Sequence, residues 1–505
     1  VSGFSYIISA RARDRAGNEQ NAFTAGNSSN TFQYESDAPD SFVTSIASGA
    51  IYRQISSISG TAADTDPDAG GPLTMAGLNR VEVRLQDLQY ASTYWAAGGW
   101  TTAATWVTAS ATATWTLTMP ATAWADGHQY EATARSVDLA APANTQTSFT
   151  LGTNQNTFRY DVGVPVSSIT TPAHLSHLNA LAAISGTAID PVPALGTPSG
   201  LSKAQIRIQR QSDSLYWGAG AGWVVPAVTW VDRDGGVNSP WTLAMPATAF
   251  SVETTYFVWS RAVDVAGSTE PVGASVNFVY DVSVPTAAVT PPPADGSTQN
   301  NLPTLSGTAS DAAPGALNRV ELRIKHSGLA YWNGTDFSGT ENTWVPAGGT
   351  AVWTYPNPGV VSGVSFTVNV RPLDKAGNMP VTSPTISTTT FKFDNEAPTS
   401  GVSGPANGAY INSLATISGT VSDLLTGNSA IASVNIRVRR NDNNTYWNGA
   451  GGWAASVTTV PVAGSPWTYT GITSVNLLSG VSYYVESWAT DAGTNLETIA
   501  PARAS

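Results

Sequence analysis

Apolar residues along this chain alternate with polar ones at a spacing of two. Val81, Val83 and Leu85 are interleaved with Glu82 and Arg84, and Val320, Leu322 and Ile324 with Glu321 and Arg323. Trp115, Leu117 and Met119 follow the same rule, as do Trp241, Leu243 and Met245. Alternation of this kind buries one face of an extended strand. No window of twelve residues carries a convincing 3.6-residue period, so the pattern predicts strands and no long helix.

The strands recur in register. Ser59-Gly60-Thr61-Ala62 returns as Ser185-Gly186-Thr187-Ala188, Ser306-Gly307-Thr308-Ala309 and Ser418-Gly419-Thr420-Val421. Tyr94-Trp95 returns as Tyr216-Trp217, Tyr331-Trp332 and Tyr446-Trp447. Phe32-x-Tyr34, Phe158-x-Tyr160, Phe278-x-Tyr280 and Phe391-x-Phe393 each precede a proline, at 39, 165, 285 and 398, so the period is 113 to 126 residues. That is the size of a domain, not of a solenoid repeat. About seven short strands per period predict an all-β fold, a tandem array of immunoglobulin-like seven-stranded β-sandwiches. The boundaries are 1–38 for the last strands of a preceding domain, then 39–164, 165–284 and 285–397. Residues 398–505 form a further domain lacking its last strand. Ser2-Gly3-Phe4-Ser5-Tyr6 aligns with Ser479-Gly480-Val481-Ser482-Tyr483, so both ends stop mid-repeat and we expect a longer parent array.

The turn near the end of each unit carries a family resemblance. Arg11-Ala12-Arg13-Asp14-Arg15-Ala16-Gly17-Asn18, Arg261-Ala262-Val263-Asp264-Val265-Ala266-Gly267 and Arg371-Pro372-Leu373-Asp374-Lys375-Ala376-Gly377-Asn378 resemble the RAxDxAGN turn of bacterial Ig-like repeats. Those repeats occur in large extracellular adhesins and filament proteins, which implies a structural or adhesive role at the cell surface. Residues 138–140 lose the Gly-Asn, so that hairpin is expected to differ.

Composition narrows the function. The chain is 42% hydrophobic but only 11% charged, against about 25% in an ordinary soluble domain. With 35 acidic and 23 basic residues it lacks the basic surface that nucleic acid demands. No apolar run is long enough to span a membrane, and residues 1–20 show no charged-then-apolar leader. Cysteine is absent, which removes disulfides, thiolate metal sites and cysteine nucleophiles. The four histidines (His128, His174, His177, His326) do not recur between repeats. No GxSxG, HExxH or phosphate-binding glycine loop is present. Lys203, Lys325, Lys375 and Lys392 occupy unrelated positions, which argues against core isopeptide bonds. We therefore expect no catalysis.

Two constellations do recur. Trp95, Trp217, Trp332 and Trp447 are followed by Trp100, Trp223, Phe337 and Trp453 across a hairpin. Paired aromatics can stabilise the hairpin, stack on glycans as carbohydrate-binding modules do, or form lateral contacts between copies in a fibre or sheath. The second constellation is acidic. Asp64, Asp190, Asp311 and Asp423 follow the Ser-Gly-Thr strand. Asp14, Asp138, Asp264, Asp374 and Asp491 sit at the last turn, and Glu35, Asp161, Asp281 and Asp394 follow the Phe-x-Tyr marker. In a sandwich these columns meet at one pole, where carboxylates suit Ca²⁺ at interdomain junctions. Each aspartate could instead close its own turn. Asp64-x-Asp66-x-Asp68-x-Gly70 could add further ligands. The expected function is a rod-like shaft or filament subunit. The alternatives are carbohydrate-binding modules or an accessory region of a large secreted hydrolase.

Overall fold

The computed structural model describes residues 2–65, 75–90, 93–218, 220, 222–224, 229–233, 240–381, 385–423 and 429–498. The chain gathers into two compact units. One comprises Val1–Leu175, Leu181–Ala249 and Tyr256–Phe278; the other comprises Ser176–Ala180, Phe250–Thr255 and Val279–Ser505. Among the described residues both are built of β-strands, and the only helical pieces are 3-10 turns at Ala121–Ala123 and Ser474–Asn476.

In the first unit, strands β1 (Phe4–Ser9) and β2 (Ser29–Tyr34) form an antiparallel pair. Next come β3 (Asp40–Val43), β4 (Ala50–Tyr52), β5 (Ser57–Ala63), β6 (Leu78–Asp87) and β7 (Thr93–Ala96). Then follow β8 (Gly99–Thr101), β9 (Val107–Thr108), β10 (Thr114–Thr118), β11 (Gln129–Asp138) and β12 (Gln155–Tyr160). One sheet has the order β10-β5-β3. The facing sheet has the order β4-β12-β11-β6-β7-β8, with β9 also on β6. This is an immunoglobulin-like sandwich of ten strands among the described residues: its first strand splits between the sheets, and the short β8 and β9 add to the β6 edge. β3 pairs antiparallel with β5, and β4 pairs parallel with β12.

The second unit repeats the plan. Thr286–Val289, Thr304–Ser310 and Val352–Pro356 make one sheet, edged by Gly348–Gly349. Ser297–Gln299, Ser387–Phe393, Val364–Asp374, Leu317–His326 and Val345–Pro346 make the other. In the last sandwich, Thr399–Gly404, Ile417–Ser422 and Trp467–Tyr469 face a sheet centred on Ile431–Arg440, which pairs with Tyr483–Asp491. The chain is thus a tandem all-β array.

The Ser-Gly-Thr marker has a packing cause. Trp115, Trp241, Trp353 and Trp467 are fully buried, each beside the glycine of its repeat. A Cβ on Gly60, Gly186, Gly307 or Gly419 would lie 1.8–2.1 Å from a backbone carbonyl oxygen and 2.1–2.4 Å from the indole Cζ2. Glycine alone lets the indole lie flat on the strand. Each indole N–H then donates to the carbonyl of the following threonine, at 3.2, 3.0, 3.3 and 3.2 Å.

Candidate metal centres

The three acidic columns meet. The fold brings together Glu35, Asp64 and Asp138; Asp161, Asp190 and Asp264; Asp281, Asp311 and Asp374; and Asp394, Asp423 and Asp491. Within each group, one carboxylate oxygen from each residue lies within 4.8 Å of those of the other two. The cause is topological. The strand bearing Ser-Gly-Thr and the long strand before the last turn both end at one pole of the sandwich, where the preceding segment enters. Asp66, Asp68 and Gly70 lie outside the described residues.

Turn chemistry and clustering coexist at these residues. Asn378 donates its backbone N–H to Asp374 Oδ1 at 2.7 Å and its side-chain N–H to Asp374 Oδ2 at 2.8 Å. The same amide also reaches the Asp281 carbonyl at 2.9 Å. Asn495 does the same for Asp491 and the Asp394 carbonyl. The asparagine of the resembled motif therefore ties the turn to the incoming segment. Asp264 takes the Ser268 N–H on its Oδ1 at 2.7 Å, and its buried Oδ2 has no partner. The hairpin after Asp138 does differ: Asn144, six residues on, supplies both bonds across a longer loop.

Neighbouring N–H groups hold further oxygens. Ala76 and Gly77 donate to Glu35 and Asp64, while Ser199 and Gly200 donate to Asp161 and Asp190. Even so, buried oxygens of Glu35, Asp64, Asp190, Asp264, Asp281, Asp311 and Asp394 are left without a hydrogen-bond donor. Asp264, Asp281 and Asp394 are at most 3% exposed. Buried polar atoms without partners are costly, and like charges this close add to that cost. At 4 Å two like charges repel by about 1 kcal/mol in water and about 4 kcal/mol at an effective dielectric near 20.

The proton affinities report this strain. Burial, then the field of the neighbouring carboxylates, pushes Glu35, Asp64, Asp190, Asp264 and Asp311 above their ordinary values. Asp281 is pushed up to about 7 by burial and by the Glu253 carboxyl against it. Burial alone would also raise Asp161, but hydrogen bonds from Ser199 and Gly163 outweigh it and hold the group low. A hard cation in each cluster, with these carboxylates as oxygen ligands, would offset the repulsion within that cluster.

Sequence reasoning missed several participants. Ser199, Asn378 and Asn495 are ordinary turn residues by type. Gly315 is another: a Cβ there would lie 2.6 Å from Asp311 Oδ2 and the Ala312 carbonyl oxygen, and 2.7 Å from Asp281 Oδ2. Glu253 was detectable, because glycine occupies its place in the other repeats.

The aromatic columns pack inward. Trp95 faces Trp100, Trp217 faces Trp223 and Trp447 faces Trp453 across their hairpins, with rings 5.4–5.5 Å apart and steeply inclined. Trp332 and Phe337 lie 5.0 Å apart. Trp95 and Trp447 are buried; the other six are half-buried. Five of the indole N–H groups are engaged: Trp100 and Trp223 donate to the Ala123 and Ala249 carbonyls, Trp453 to that of Asn476. Trp332 and Trp447 donate to the Tyr355 and Tyr469 hydroxyls.

The sheet orders and their recurrence define the class as a tandem array of immunoglobulin-like β-sandwiches. No family model matches the sequence, and no curated protein matches it. Among solved structures it is similar to fibronectin(III)-like modules of CbhA from Clostridium thermocellum, at 15% identity and a TM-score of 0.24, over 45% of this chain and 94% of that one. It is also similar to the FN1–FN3 domains of chicken CNTN1, at 10% identity and a TM-score of 0.26, over 70% and 97%. Domains A168–A170 of titin match at 13% identity and a TM-score of 0.25, again over 70% and 97%. No helix among the described residues is long and apolar enough to cross a membrane.

Proposed function

We propose that this chain is a non-catalytic, extracellular structural protein, the shaft of a bacterial adhesin or filament, whose sandwiches are locked in series by calcium. The observation that supports this most is repetition. Four times, three positions far apart in sequence converge on one carboxylate cluster with buried oxygens that no donor satisfies. A catalytic site has no need of four copies, whereas a mechanical element needs one per repeat. Two carboxylates come from the body of a sandwich and the third from the segment entering it, so a bound ion ties the two together. Because the metal-free chain keeps these charges apart poorly, binding stabilises the docked arrangement by mass action.

Calorimetry of the full chain with calcium and with a chelator tests this. Saturation at about a hundred times Kd adds roughly 2.7 kcal/mol per site. Superimposable melting curves with and without the chelator would refute the reading.

A further inference from the structure

The turns that lead into the long penultimate strands share one backbone shape. Gly3, Gly127, Gly363 and Gly480 adopt it with φ of 77–84°, and Glu253 adopts it with φ of 54°. Each stands three residues before an aromatic: Tyr6, Tyr130, Phe366, Tyr483 and, for Glu253, Tyr256. A Cβ strains the left-handed conformation, so glutamate is the unfavourable choice there. Among the described residues no hydrogen-bond donor meets either buried oxygen of Glu253. Its carboxylate lies against Asp281, which is fully buried and whose Oδ2 is likewise unpartnered. The field of Glu253 also reaches Asp311.

We propose that Glu253 is a fourth acidic ligand of the Asp281–Asp311–Asp374 site, which therefore binds a divalent cation more tightly than the Asp394–Asp423–Asp491 site. The inference rests on the calcium reading above. Affinity in all-oxygen sites rises with the number of charged ligands. The comparison site has a hydroxyl beside it instead, since Ser362 Oγ donates to Asp394 Oδ1 at 3.2 Å. Near the Asp161 cluster, Asp126 spends Oδ1 on the N–H groups of Val162 and Gly163. Among the described residues, Glu253 meets no such N–H donor. Strain in its backbone is repaid only when its carboxylate is used.

Two full-length chains isolate the sites. D64N, D190N and D423N together leave the Asp281 site; D64N, D190N and D311N leave the Asp394 site. Calcium is then titrated against a competing chelator. The first chain should bind at least about tenfold more tightly, and adding E253Q or E253G should weaken it by about 10–100-fold. E253G should also raise the melting temperature in chelator, because glycine relieves the turn. Unchanged affinity in both Glu253 variants, or the Asp394 site proving tighter, overturns the inference alone. An intact chain that takes up no calcium overturns the function proposed above as well.

Discussion

Gly307→Ala gives the most direct check on how the sandwiches are packed. The new Cβ would start 2.0 Å from the Ala288 carbonyl oxygen, 2.2 Å from Trp353 Cζ2 and 2.5 Å from Cε2. Ordinary carbon contacts lie near 3.5–4.0 Å, so relief requires movements well above 1 Å on two sides. The indole is fully buried in the core with Leu305, Val320 and Phe366, and cannot swing away. Overpacking of this kind costs about 1–3 kcal/mol, occasionally more, and two simultaneous clashes place this site at the upper end. For a domain of roughly 100 residues that lowers the melting temperature by at least about 10 °C. Calorimetry of the full chain should show one transition moving down while the others stay. Trp353→Leu should cost several kcal/mol alone by leaving a cavity, yet combined with Gly307→Ala the loss should fall short of the sum by about 1 kcal/mol or more. An unchanged melting curve for Gly307→Ala, or strict additivity in the double variant, would refute the packing argument.

Other outcomes follow from the clusters and their surroundings. In chelator, the raised carboxylates bind protons more readily in the folded chain than in the unfolded one. Their contribution is therefore largest at low pH and is lost as pH rises through the folded values, from the ordinary 3.8 to about 7 at Asp281. The metal-free melting temperature should accordingly rise as pH falls from about 8 to about 5, and calcium should reverse that trend because protons compete with it. Glu82 and Glu321 act oppositely below that window, since their arginine partners hold them low against burial. Asn378→Ala severs the link between the Asp281 carbonyl and Asp374 and should cost about 1–2 kcal/mol by calorimetry, with weaker calcium binding. Arg371→Met removes a guanidinium that pairs with the half-buried Glu321 and lies 3.9 Å from the centroid of the Trp344 ring. It should lower the melting temperature of its repeat, whereas Arg371→Lys should recover part of the loss.

The sandwich class was legible because two signals agreed: alternation such as Val81-Glu82-Val83 and the recurrence of Ser-Gly-Thr. Sequence alone did not explain why glycine stands in that marker, since its constraint comes from an indole some fifty residues away. The acidic columns could be aligned in sequence, and the fold class supplied the pole at which they meet. The atoms that tune each cluster were less accessible. Asn378 bridges two segments through one amide, a contact that only the folded loop creates. Glu253 breaks a glycine column, a departure visible once the repeats are aligned on their aromatics. The split first strand was illegible because a three-residue pairing such as Ala50–Tyr52 leaves no period to detect.

That split strand bears on how a repeat responds to tension. β4 enters near the start of the 39–164 repeat and runs parallel to β12 at its end, with Ala50, Ile51 and Tyr52 opposite Phe158, Arg159 and Tyr160. Pulling outward on both ends of the repeat draws these parallel strands past each other lengthwise. Their hydrogen bonds are then loaded together in shear and fail as a group, whereas a hairpin peeled from its open end yields one bond at a time. Ser297–Gln299 lies parallel to Phe391–Phe393 in the same way, so the clasp recurs in the 285–397 repeat. Each clasp joins the entry and exit of its own sandwich, so load can pass along the chain from one linker to the next while the core behind it stays closed.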